Sequence, residues 1–112
     1  MADLESSELA AAARDTAAAL RAEADVARLQ ARMSRERADK VRSVAKALRR
    51  ETELTPQPDS AIRARQADLA DQHARIFERE AANLDAEVQR AESEAANAEA
   101  RAGRMSPRCG GA

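Results

Sequence analysis

Aromatic side chains are almost missing from this sequence. Phe77 is the only one, and there is no Trp and no Tyr. Aromatic residues dominate the burial energetics of most globular cores, so a core of that kind is not expected. Their absence also removes the stacking platforms on which single-stranded nucleic acids are held. Leu, Ile, Val and Phe together number 15 of 112 residues, below the roughly 20% expected of self-sufficient globules. Cys109 is the only cysteine, so there is no internal disulfide framework. His73 is the only histidine. It has no HExxH, Glu-x-x-His or cysteine pair beside it, and no metal site or cofactor is expected. Glycine and proline number three each, and residues 1–55 contain neither. No stretch approaches the ~20 apolar residues of a membrane span. The acidic start (Asp3, Glu5, Glu8) is unlike a signal or transit peptide. These features point to an intracellular protein, cytoplasmic or cytoskeletal.

What is abundant is alanine, 30 residues, and charge, 35% of the chain at a net −1. Such composition belongs to long helices and coiled coils. The clearest pattern runs from Ala67 to Ala102. Steps of three and four land on Ala67, Ala70, Ala74, Phe77, Ala81, Leu84, Val88, Ala91, Ala95, Ala98 and Ala102. All eleven are apolar and eight are alanine, the pattern of a helix packed along a seam.

Thr55-Pro56-Gln57-Pro58-Asp59-Ser60 interrupts the helical reading, because proline disfavours helical geometry at the residue before it. The expected organisation is helix one over 1–54, a Pro-containing turn over 55–60, helix two over 61–102 and a flexible tail over 103–112. Asp3 or Ser6 is placed to cap the first helix, and Asp59 or Ser60 the second. Gly103 is a natural terminator. The fold class is all-α: two long antiparallel helices forming a coiled-coil hairpin with an Ala-rich seam.

On helix one the larger apolar residues set the expected face. With the turn centred near Gln57, paired residue numbers total about 114. Val26 then meets Val88, Met33 meets Ala81 and Val44 meets Ala70. Leu29 falls beside Leu84, and Ala19 meets Ala95. The expected seam is therefore Val26, Leu29, Met33, Val44, Ala70, Phe77, Ala81, Leu84, Val88 and Ala95. It includes a stutter at Arg37, whose guanidinium would lie over Phe77. Ile62, Leu69 and Ile76 form a second apolar line seven residues apart. Together the two lines make an arc of about 160°, wider than one partner helix covers. This line is the expected partner interface, for self-association or for another helical subunit.

Charge is patterned too. Arg14, Arg21, Arg28, Arg35, Arg42 and Arg49 recur every seven residues. Helix two carries two acidic lines: Glu78, Asp85, Glu92 and Glu99, and Glu80, Glu87 and Glu94. Such stripes either solvate a face or fix helix alignment. In the 114 register Arg21 and Arg28 would face Glu94 and Glu87. Residues 28–50 hold nine basic side chains against Glu36 and Asp39, a patch able to track a polyanion.

A nucleophile–base pair would have to join Cys109 to His73, and there is no Gly-rich phosphate loop. No enzyme activity is expected. Cys109-Gly110-Gly111-Ala112 has the frame of a prenylation signal, but with glycines where aliphatic residues belong. The leading functional expectation is a non-catalytic structural or scaffolding subunit of a larger helical assembly, cytoskeletal, tethering or scaffold. Its partners would be other helical subunits or further copies, rather than nucleic acid or membrane. The alternative is an electrostatic module that lays residues 28–50 on nucleic acid, acidic protein tails or an anionic membrane.

Overall fold

The computed structural model describes residues 2–54 and 58–105. The expectations for Thr55, Pro56, Gln57, Ser106, Pro107 and the Cys109 tail lie outside the described residues. Two helices are present: α1, Ala2–Leu54, and α2, Ser60–Met105. The absence of Gly and Pro permits the length of α1. Its hydroxyl residues are accommodated by bonding back along the helix. Thr16 donates to the Ala12 carbonyl at 3.0 Å, Ser43 to Asp39 at 3.0 Å, and Thr52 to Leu48 at 2.9 Å.

Pro58 and Asp59 form the described part of the turn. The Asp59 carbonyl accepts the first two amide bonds of α2, from Ile62 at 3.0 Å and Arg63 at 3.1 Å. Two expected boundaries change. Ser6 lies inside α1, which already includes Ala2, so it is not the cap. Gly103 lies inside α2, which continues to Met105. A glycine stop works through a left-handed backbone, and no described glycine has positive φ.

The chain divides into two compact units. Unit 1 comprises Met1–Arg28 and Asp85–Ala112, and unit 2 comprises Leu29–Leu84. In each, a stretch of α1 packs antiparallel to a stretch of α2, as the cross-helix ion pairs described below require.

In unit 1 the buried residues are Ala10, Ala17, Ala24 and Ala27 from α1, with Val88, Ala91, Ala95, Ala98 and Ala102 from α2. Ala17, Ala95 and Ala98 form one cluster, with half-buried Leu20 against it. In unit 2 they are Ala31, Ser34, Ala38 and Ala45 from α1, with Ala67, Ala74 and Ala81 from α2. Val41, Leu48, Ala70, Phe77 and Leu84 are half-buried there. No large side chain is fully buried anywhere in the described chain. Each buried methyl contributes about 0.8 kcal/mol, so the stabilisation comes from many small contacts.

The face that α1 buries differs from the expected one. Val26 is 56% exposed, Leu29 53%, Met33 42% and Val44 54%. Val26, Leu29 and Met33 each sit two residues past a buried alanine, about 200° round the helix at 100° per residue. Val44 precedes buried Ala45. The cause is steric: α2 contributes mainly alanines, so the backbones run close and small residues fill most contact positions, with Val88 the one larger buried side chain among the described residues. The pairings of Val26 with Val88, Met33 with Ala81 and Val44 with Ala70 therefore give way. Arg37 is exposed and the stutter disappears, because Ala31, Ser34, Ala38, Val41 and Ala45 keep steps of three and four.

Candidate interaction surfaces

Unit 2 presents two chemically different sides, one of them ionic, and unit 1 has an ionic side of its own. In unit 1, Arg21 forms a two-pronged contact with Glu99, one prong at 2.8 Å. Arg28 pairs with Glu92 and, at 2.8 Å, with Asp25 of its own helix. In unit 2, Arg42 pairs with Glu78. Arg49 reaches Asp71 at 2.5 Å and Asp68 at 3.0 Å. The hydrogen bond to Glu78 raises the Arg42 pKa above its ordinary value, and the same bond holds the Glu78 carboxyl below its own. Hydrogen bonds to Asp71 and then Asp68 raise Arg49 in the same way. All these side chains keep contact with solvent, which screens the attraction, so the pairs favour one alignment more than they add stability.

These partners differ from the expected ones. Arg21 and Arg28 meet Glu99 and Glu92 rather than Glu94 and Glu87. Glu94 instead lies 3.5 Å from Arg90 on its own helix, and Arg90 also reaches Glu23 at 3.8 Å. Once α1 buries its alanines, its arginines turn to the side of α2 that carries Glu92 and Glu99 in unit 1, and to the side that carries Glu78 in unit 2. Arg35 is also engaged, and Arg14 is exposed. A shallow groove over the basic stretch is lined by Arg42, Lys46, Arg49 and Arg50. Glu53 and Asp71 share it, so its charge is mixed.

The second side is apolar in unit 2. Ile62, Leu69 and Ile76 are 58%, 52% and 57% exposed. Leu69 and Ile76 each stand two residues before an ion-paired carboxylate, Asp71 and Glu78, and so face away from the ionic side. Val44 stands two residues after Arg42 and faces away likewise. On this side Arg63 lies 3.5 Å from Glu51 and 3.6 Å from Asp59. His73 is exposed between Leu69 and Ile76 on the same side.

Sequence reasoning missed the α1 contact residues Ala24, Ala27, Ala31, Ser34, Ala38 and Ala45. The signal was present as a line of small residues from Ala10 onward in steps of three and four, of the kind read directly on α2. Among the described residues, no group of three or more His, Cys, Asp or Glu side chains is placed to hold a metal ion. No described helix is long and apolar enough to cross a membrane. Comparison with known protein families, curated proteins and solved structures finds no match to this chain.

Proposed function

We propose that the chain is a non-catalytic packing subunit: an alanine-seamed, antiparallel coiled-coil hairpin that docks other helices onto the outer apolar face of unit 2. The cytoskeletal, tethering or scaffold assemblies of the cell interior are the setting that suits it. One observation carries the reading. The buried seam consists almost wholly of alanine, while Leu29, Met33, Val44, Ile62, Leu69 and Ile76 stay exposed. A sequence that places its larger apolar side chains outside and its smallest inside has apolar surface to offer a partner. The ionic side supports the same reading, because Arg28, Arg42 and Arg49 already engage carboxylates of α2. They are thereby less available to an external polyanion.

The test is a Val44→Asp, Leu69→Asp double variant in the source cells. The expected outcome is a smaller native assembly on gel filtration, with helix content unchanged by circular dichroism. Burying an unpaired carboxylate costs several kcal/mol. An unchanged assembly size overturns the reading. So does tight binding of the purified chain to DNA or polyglutamate that weakens steeply with salt and survives the double variant.

A further inference from the structure

The exposed apolar line of α2 is symmetric about its centre. Ile62 and Ile76 each lie seven residues from Leu69, and the two intervening residues on that side are Gln66 and His73. An interface between two identical copies related by a two-fold axis must be self-complementary: if residue i meets j, then j meets i. An antiparallel copy centred on Leu69 satisfies this, with Ile62 against Ile76 at both ends and Leu69 against itself.

The neighbouring stretch of α1 has the same symmetry, with charge added. Lys40, Val44, Ala47 and Glu51 are all exposed, in steps of four, three and four. Reversed on itself, this line sets Val44 against Ala47 and Lys40 against Glu51. The unlike charges meet at both ends of the contact. Glu51 lies 3.5 Å from Arg63 on this side and its side chain stays 63% exposed, so its carboxylate is open to a second cation.

The two centres fall at one level of the unit. The α1 line is centred between residues 45 and 46 and the α2 line on residue 69, so the numbers total 114 to 115. Glu51 and Arg63, which touch across the two helices on this side, also total 114, while the arginine pairs on the opposite side, Arg42 with Glu78 and Arg49 with Asp71, reach further along α2 and total 120. One axis therefore serves both helices. The ionic side lies opposite, so a second copy here leaves the arginine pairs undisturbed. The Ile62–Ile76 line spans fifteen residues, about 22 Å. Two helices side by side are roughly 20 Å wide, which gives on the order of 900 Å² buried over both partners, the size of a weak, concentration-dependent interface.

We propose that the apolar side of unit 2 binds a second copy of this chain, antiparallel about a two-fold axis through Leu69. This rests on the docking face proposed above and names its occupant. The test uses the full chain with Cys109→Ser. Leu69→Cys oxidises to a covalent dimer of about twice 12.1 kDa, because the two copies of residue 69 fall within disulfide reach. Ile62→Cys alone and Ile76→Cys alone stay uncrosslinked, since each lies about 21 Å along the helix from its own counterpart. An equal mixture of the two crosslinks. Lys40→Glu raises the dimer dissociation constant at least tenfold, and adding Glu51→Lys restores it. Lys40, Glu51, Ile62, Leu69 and Ile76 are all exposed, and circular dichroism checks that each variant is helical. Monomer mass in sedimentation at 100 μM (an order of magnitude above typical assay concentrations) overturns the proposal. Self-crosslinking of Ile62→Cys as readily as Leu69→Cys does the same. If either occurs while Val44→Asp, Leu69→Asp still shrinks the native assembly, the occupant is a different helical protein and the docking face stands. If the assembly is unchanged as well, both readings fall.

Discussion

At the scale of single residues, alanine and the larger aliphatics exchange their usual places. Ala38 is 1% exposed while Val26 is 56% exposed. Hydrophobicity alone ranks valine as the core residue of the two, and on that ranking Val26, Leu29, Met33 and Val44 were the natural seam. What decides is separation rather than transfer free energy, because most of the buried positions on the facing surface of α2 are alanine. Two substitutions follow from this inversion. Ala38→Leu inserts volume where there is none and is expected to destabilise by about 1–3 kcal/mol. Val26→Ala at the surface is expected to stay within about 0.5 kcal/mol. Thermal melts of the two variants check the order, and a larger loss from Val26→Ala would contradict the seam observed here.

The element scale concerns how α1 and α2 find one alignment. Alanine methyls are nearly identical from one level to the next, so apolar contacts discriminate weakly between alignments a few residues apart. The ion pairs supply that difference, and the short connection between Leu54 and Ser60 excludes alignments a full heptad away. In unit 1, Arg21 and Arg28 face Glu99 and Glu92. Reversing both arginines to glutamate sets like charges together and is expected to lower the melting temperature at low salt. Changing Glu99 and Glu92 to arginine in the same chain is expected to recover part of that loss. A double-mutant cycle measures the coupling, which should fade as salt rises. Coupling to Glu94 and Glu87 instead would contradict the observed alignment. The seven-residue arginine line and the existence of two helices packed antiparallel were legible in the sequence. The partner line was not, because two acidic lines flank α2 and the choice depends on which face of α1 is buried. The end of α2 was misread for a separate reason: Gly103 has open space around it and takes an ordinary helical conformation.

For the whole molecule, the sequence made the fold class readable, because composition and period agree across both helices. The outer apolar line was equally plain at Ile62, Leu69 and Ile76. The neighbouring line on α1 was hidden until its buried face was known, since Lys40, Val44, Ala47 and Glu51 come to the outside only once Ala45 turns inward. If the second copy proposed above is the occupant, folding and association are linked. The melting temperature is then expected to climb with protein concentration.

The absence of any fully buried large side chain has a calorimetric consequence. Heat capacity change on unfolding follows newly hydrated apolar area, and a globular protein of this length shows about 1.5 kcal/mol/K. Here unfolding uncovers mainly methyl groups and backbone, and hydrated polar groups contribute with the opposite sign. Scanning calorimetry should return a value well below the globular one, and a value at or above it would contradict the alanine seam. The stability curve should then be shallow, with strength changing little between a cold and a warm cell.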